Sequence, residues 1–135
     1  MSKESILIID DNPINLKLAR VLLTAAGYVV AVAGAAEEAL ATLATCHPDI
    51  ILMDIQLPDI DGLELTRRLK ATPELCDIIV VALTAFAMKG DAQKARDAGC
   101  SGYISKPIDT RTFANEVASY LTPERTAIFA AEKLA

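Results

Sequence analysis

The chain has 135 residues, which is the size of one domain. Its formal net charge of −5 disfavours binding to nucleic acid and to anionic lipid, because like charges repel. Apolar residues make up 53% of it and aromatic residues only 4%, which favours helices packed on a buried sheet over an aromatic-rich β-sandwich. The three cysteines lack a CxxC spacing and there is one histidine, so the sequence predicts a cytoplasmic domain without a zinc site. No apolar run approaches the roughly 20 residues of a membrane span and the net charge is negative, so neither a membrane partner nor a nucleic-acid partner is expected.

The first predicted strand is the continuous apolar run Ile6–Ile9, which is typical of a strand covered on both faces. Asp11, Asn12 and Pro13 then supply a capping residue and a proline for the start of a helix, and Gly27 is expected to end it. Within that helix, four apolar residues at helical spacing indicate one apolar face, made of Ile14, Leu18, Val21 and Leu22.

The same alternation continues to the end of the chain. Later strands are predicted at Tyr28–Val32, Ile50–Met53, Ile78–Leu83 and Tyr103–Ser105. Later helices are predicted at Ala35–Thr45, Gly62–Lys70, Lys89–Ala98 and from Asp109 onwards, where one face carries Phe113, Val117, Tyr120 and Leu121. Strands alternating with helices predict an α/β fold, a parallel sheet with helices on both faces and right-handed crossovers. In such a sheet, ligands bind at the carboxyl ends of the strands.

Polar residues follow the apolar runs where four of the predicted strands end. They are Asp10 and Asp11, Asp54, Thr84 and Lys106. Each alone has an ordinary explanation as a cap, turn or loop residue, but the fold would gather all of them around one crevice. Carboxylates crowded together raise one another's pKa, and a hard divalent cation such as Mg²⁺ relieves that repulsion.

This set of groups matches a phosphoryl acceptor. The Asp54 carboxylate can attack phosphorus and form an aspartyl phosphate, a reaction that needs mainly positioning and neutralisation of the phosphoryl oxygens. Mg²⁺ can hold one oxygen, Lys106 can pair with a second and Thr84 can donate to a third, while backbone N–H groups after Asp54 complete the cradle. The bond before Pro107 is a candidate cis peptide that would aim Lys106 inward, although trans is the general expectation.

Five stretches of the chain resemble the receiver domains of bacterial two-component response regulators: Ile8 to Asn12, Leu52 to Pro58, Asp61-Gly62, Ala82 to Ala85 and Tyr103 to Pro107. The resemblance runs from residue 6 to about residue 121. It implies a flavodoxin-like or CheY-like (βα)5 fold, a doubly wound five-stranded parallel sheet of order 2-1-3-4-5. Met53–Pro58 and Thr84–Asp91 are most similar to single-domain regulators of the DivK type. Residues 1–121 are therefore expected to form the receiver domain, and residues 122–135 a helical tail or a linker.

The resemblance also implies a role for each matching site residue. Asp54 would be phosphorylated, and Asp11 and Asp54 would bind Mg²⁺ directly. The main-chain carbonyl of Gln56 would help them, and Asp10 would act directly or through water. Thr84 and Lys106 would contact the phosphoryl group.

Tyr103 would be an aromatic switch whose ring turns inward as Thr84 moves toward the phosphate. The expected donor is a histidine kinase or a histidine phosphotransfer protein. The downstream protein target would bind the face made by the fourth helix, fifth strand and fifth helix, which carries the residues Lys89, Lys94, Arg96, Arg111, Ala87 and Ala98. The chain would be a monomer or a phosphorylation-dependent dimer. It would not be an enzyme, apart from assisting its own phosphorylation and dephosphorylation.

The sequence leaves two alternatives open and argues against a phosphatase. A haloacid-dehalogenase-type phosphatase also uses an aspartate at a strand end, but it needs a second aspartate two residues later, where this chain has Gln56. A phosphorylation-independent interaction module would keep the fold, although the intact set of site residues argues against it. The chain is also compatible with a receiver domain taken from a hybrid histidine kinase. Nucleotide binding is disfavoured because no glycine-rich phosphate loop follows a predicted strand.

Overall fold

The computed structural model describes residues 4–84, 91–106 and 108–121, in which five strands alternate with five helices. The strands are β1 (Ser5–Ile9), β2 (Val29–Ala33), β3 (Ile50–Asp54), β4 (Ile79–Thr84) and β5 (Gly102–Ser105). The helices are α1 (Pro13–Ala25), α2 (Ala36–Leu43), α3 (Gly62–Ala71), α4 (Asp91–Ala98) and α5 (Phe113–Leu121). The predicted α/β alternation is confirmed. The predicted tail at 122–135, the candidate cis bond at Pro107 and the predicted start of the fourth helix at Lys89 lie outside the described residues.

All strand pairs in the sheet are parallel, and the strand order is β2-β1-β3-β4-β5. This is the order that the resemblance implies. The chain passes from β1 outward to β2 and then returns to the other side of β1 for β3, so the order reverses between β1 and β3. Such a reversal leaves a crevice at the carboxyl ends of these two strands, where ligands bind in open α/β sheets.

Side chains along the central strands alternate between two cores because successive residues of a strand point to opposite faces. One core lies under α2, α3 and α4 and takes Leu7, Ile9, Ile51 and Met53 from β1 and β3. The other lies under α1 and α5 and takes Ile6, Ile8, Ile50 and Leu52. Burial on both faces explains why these strands read as continuous apolar runs. Ala98, which we expected to offer apolar contact to a partner, is only 3% exposed and packs in the first core.

The apolar face predicted for α1 is only partly its buried face, since Leu22 packs against the second core but Ile14 and Val21 are exposed. Ile14 and Val21 are 76% and 56% exposed, whereas Ala19 and Leu23 are fully buried against the sheet. The helix carries two overlapping apolar stripes, and the one that contains Ala19 and Leu23 faces the sheet. Hydrophobic spacing alone does not distinguish the two stripes.

The predicted ends of α1 are confirmed. The Asn12 side chain accepts hydrogen bonds from the N–H groups of Ile14 and Asn15, at 2.9 and 3.3 Å, and Pro13 opens the helix. Gly27 has a positive φ of 101° just after the helix, a conformation that glycine adopts without strain. The helix α5 begins later than predicted, because Asp109 opens a turn in which its carbonyl accepts from the N–H groups of Thr112 and Phe113. Among the described residues, no helix is long and apolar enough to span a membrane.

The two stripes of α1 can be distinguished by truncating one residue of each. Leu23→Ala should lower the free energy of unfolding by about 2–5 kcal/mol, because it leaves a cavity in a packed core. Val21→Ala, two residues away on the exposed side, should change it by less than about 0.5 kcal/mol. Urea denaturation followed by circular dichroism measures both, and similar losses for the two variants would contradict the packing described here.

Candidate functional site

The sheet brings the polar residues predicted from the sequence to one edge. Asp10 follows β1, Asp54 and Thr84 are the last residues of β3 and β4, and Lys106 follows β5. The strand register aligns these ends, since Met53 lies beside Ile9 and Leu83 beside Asp54. Three of the site residues are among the few buried polar residues described, with exposures of 1% for Asp10, 5% for Asp54 and 6% for Thr84.

Lys106 lies between two carboxylates at the centre of this site. Its Nζ is 2.9 Å from Oδ2 of Asp10 and 3.0 Å from Oδ2 of Asp54. Burial disfavours the ammonium, but the hydrogen bonds to these two carboxylates outweigh burial and leave the pKa of Lys106 raised. The lysine therefore stays charged and offsets part of the repulsion between Asp10 and Asp54.

Asp54 is held at both carboxylate oxygens. Oδ1 accepts a hydrogen bond from the backbone N–H of Gln56 at 3.0 Å, and Oδ2 pairs with Lys106. Burial raises the pKa of Asp54 and the charge of Asp10 adds to that effect, while the Gln56 N–H and Lys106 act in the opposite direction. Asp54 is thus a buried carboxylate whose surroundings fix its orientation but leave its negative charge poorly compensated.

Asp10, Asp11 and Asp54 form a cluster in which one carboxylate oxygen from each residue lies within 4.8 Å of the others. Asp10 and Asp54 are buried, and Asp11 is exposed at the mouth. The second oxygen of Asp10 accepts from the N–H of Asn12 at 2.9 Å, which fixes the orientation of this carboxylate at the start of α1. Oxygen ligands from carboxylates, one of them exposed to solvent, suit Mg²⁺.

Thr84 and Tyr103 lie on the β4 and β5 side of the site. The Thr84 carbonyl accepts from the N–H of Lys106 at 2.7 Å, which fixes the backbone where the two strands end. Tyr103 is 38% exposed, and its carbonyl accepts from the hydroxyl of Tyr120 on α5 at 3.3 Å. Gln56 contributes its N–H to Asp54, whereas the role expected for its carbonyl stays a prediction.

Gly62, which the sequence analysis named only in a matching stretch and as the start of a helix, packs directly against the site. A Cβ on this residue would lie 2.2 Å from the Asp54 carbonyl oxygen and 2.8 Å from the Ile55 Cα. The Gly62 N–H donates to the Ile55 carbonyl at 2.7 Å, and Gln56 and Asp61 form an isolated antiparallel bridge. The first turn of α3 is therefore packed directly against the backbone of Asp54. The available signal was a glycine directly after the capping residue Asp61, where only glycine permits so close an approach.

Several known proteins are similar to this chain. The family model for the response regulator receiver domain matches residues 6–118. The polar-differentiation response regulator DivK of Brucella ovis is 49% identical over 118 residues, which cover 87% of this chain and 96% of that protein. DivK of Brucella anthropi is 48% identical over the same shares.

Solved structures give the same result. The receiver domain of a sensor histidine kinase from Pseudomonas aeruginosa, with a magnesium ion coordinated in its active-site cleft, has a TM-score of 0.79 and 29% identity. That match covers 89% of this chain and 98% of that one. The chemotaxis response regulator CheY4 of Vibrio cholerae shares the fold at a TM-score of 0.84 and 23% identity, over 88% of this chain and 99% of that one.

The close packing at Gly62 predicts that Gly62→Ala displaces the backbone at Asp54. The variant should lose about 1–3 kcal/mol of unfolding free energy, as expected for overpacking. Gly34→Ala is the matched control, because its Cβ would meet only the Glu38 side chain at an ordinary 3.6 Å. Denaturant titration measures both, and a Gly62→Ala variant as stable as the parent would show that the packing is looser than described.

The charge cluster predicts the effect of removing the lysine. Without Mg²⁺, Lys106→Met should lower the free energy of unfolding by about 3 kcal/mol at pH 7, because Asp10 and Asp54 then face each other uncompensated. Adding Mg²⁺ should recover part of that loss. The exposed lysine of α4 supplies the control Lys94→Met, for which little change is expected. Equal stability of the two variants in EDTA would contradict the role given to Lys106.

Proposed function

Because this chain belongs to the response regulator receiver domain family, we propose that it is a phosphorylation-dependent switch that accepts a phosphoryl group on Asp54. The observation that carries the proposal is the setting of this carboxylate, which is buried at the end of β3, hydrogen-bonded by Gln56 and ion-paired with Lys106. The two further carboxylates of the cluster, Asp10 and Asp11, support a metal-assisted reaction.

The proposed donor is a phosphohistidine on a histidine kinase or on a histidine phosphotransfer protein. A carboxylate oxygen of Asp54 forms the new bond to phosphorus as the phosphorus–nitrogen bond of the donor breaks, and the imidazole, already protonated at its other ring nitrogen, leaves as a neutral group. Lys106 exchanges its contact with Asp54 for one with a phosphoryl oxygen, and the Thr84 hydroxyl donates to another. The Gln56 N–H keeps the attacking carboxylate in a fixed orientation throughout the transfer.

Mg²⁺ is the proposed cofactor, and the residues present fit it. Asp11 and Asp54 would hold the ion with the Gln56 main-chain carbonyl, and Asp10 would act directly or through water. The bound ion supplies positive charge that offsets the carboxylates and the phosphoryl oxygens. The magnesium ion reported in the cleft of the Pseudomonas aeruginosa receiver domain supports this assignment.

Phosphorylation would replace the single negative charge of Asp54 with an acyl phosphate of roughly −2, and would bias the positions of Thr84 and Tyr103. The exposed ring of Tyr103 lies on β5 beside α4 and α5, so its movement inward would change that surface. We assign the downstream protein target to this surface, to which Lys94, Arg96 and Arg111 offer charge. The chain is thus a signalling domain and not an enzyme in its own right. A cytoplasmic location and a dimer formed on phosphorylation stay predictions.

The proposal is tested with acetyl phosphate as a small donor. Incubation with Mg²⁺ should give an acid-stable, base-labile adduct, detected by intact-protein mass spectrometry, and EDTA should abolish it. Asp54→Asn should abolish it as well, while Thr84→Ala should slow its formation. Asp77→Asn removes an exposed carboxylate from the turn before β4 and should leave it unchanged.

Persistence of the adduct in Asp54→Asn would show that another residue is the acceptor. Absence of any adduct, together with unchanged spectra in Mg²⁺ and beryllofluoride, would instead favour a phosphorylation-independent interaction module.

A further inference from the structure

The helix α2 lacks an N-cap of its own. Ala35 occupies the capping position in an extended conformation and makes no side-chain hydrogen bond. The carboxylate of Asp59, 22 to 23 residues away in the chain, takes that place: Oδ1 accepts from the N–H of Ala36 and Oδ2 from the N–H of Glu37, both at 3.1 Å. These two N–H groups also hold the pKa of Asp59 below its usual value.

Asp59 lies in the loop that follows the phosphoacceptor. This loop, residues 55–61, supplies the Gln56 N–H to Asp54 and is closed at its base by the hydrogen bond from Gly62 to Ile55. Three of its apolar residues are partly buried against the core under α2 and α3, namely Ile55, Leu57 and Ile60. Asp59 links this loop to the neighbouring helix through two charge-assisted hydrogen bonds. A cap supplied by residue 35 would satisfy the same helix end without connecting it to the loop.

We propose that Asp59 is a positioning residue of the phosphoacceptor site, which fixes the loop 55–61 against α2 and so holds Gln56 in place for Asp54 and for Mg²⁺. This inference rests on the proposed function. The reason is geometric: the loop is fixed at its base by Gly62 and at its far side by Asp59, so the Gln56 backbone between them has little freedom. A carboxylate oriented in advance gains reactivity because less reorganisation accompanies the reaction.

A cap on α2 and a tether on the loop can be separated experimentally. Asp59→Ala removes both, whereas the double variant Asp59→Ala/Ala35→Ser restores a local cap without the tether. The added Ser side chain can accept from the N–H of Glu37 or Glu38 as a local N-cap. Asp59→Asn, which can accept one hydrogen bond but carries no charge, is the conservative variant.

The measurement is the affinity for beryllofluoride in saturating Mg²⁺, followed by amide chemical shifts, beside the melting temperature. Asp59→Ala should melt lower than the parent and bind beryllofluoride about tenfold more weakly, in line with the loss of a residue that supports a metal site. The double variant should recover the melting temperature but not the affinity, and Asp59→Asn should bind with intermediate affinity. Asp77 is an exposed carboxylate that pairs with His47 at 3.0 Å in another turn, so the control variant Asp77→Asn should bind beryllofluoride like the parent.

Two results would overturn the inference: parental affinity in Asp59→Ala, or recovery of affinity together with melting temperature in the double variant. Either would mean that Asp59 only caps α2. If the parent chain itself does not bind beryllofluoride, the proposed function fails and this inference fails with it.

Discussion

The ion pairs of Lys106 with Asp10 and Asp54 are the interactions on which the rest of this site depends. The two aspartates end neighbouring strands and are nearly inaccessible to solvent, so their charges would destabilise the fold if left alone. The ammonium reaches them from the end of β5, on the far side of β4. The site therefore forms only when the sheet is assembled, and its excess negative charge remains available to a divalent cation.

The two-sided sheet explains how such a cluster is tolerated. Each central strand is buried on both faces and is rigid, so its last residue is held in place by packing rather than by the loop that follows. The loop after β3 then orients the Asp54 carboxylate through the N–H of Gln56. Gly62 lets α3 approach the Asp54 backbone, and Asp59 fixes the same loop to α2. Strand ends thus supply the charged groups, and one loop sets the direction of the reacting carboxylate.

The charged groups at the strand ends could be predicted from the sequence, but the contacts that orient the loop could not. Asp54, Thr84 and Lys106 were found because apolar runs mark buried strands and the residue after each run must lie at the sheet edge. The link from Asp59 to α2 could not be found, since it joins distant segments and has no local pattern. The buried face of α1 could not be predicted either, because Val21 and Leu23 are both apolar and only packing against the sheet determines which of them is buried. The hydrophobic periodicity of the sequence predicts the helices, the strands and the strand ends. Tertiary contacts determine how the helices and the site side chains are oriented.

The phosphoacceptor site is tested most directly by a crystal structure of the chain with Mg²⁺ and beryllofluoride. Beryllium should be bonded to a carboxylate oxygen of Asp54, the metal should be held by Asp11 and Asp54, and Lys106 should have moved from Asp54 to a fluoride. Thr84 should donate to a second fluoride, with Gln56 still hydrogen-bonded to Asp54. A beryllofluoride group bound elsewhere, or a Lys106 that keeps both carboxylate contacts, would contradict the central claim that this cluster is a phosphoacceptor site.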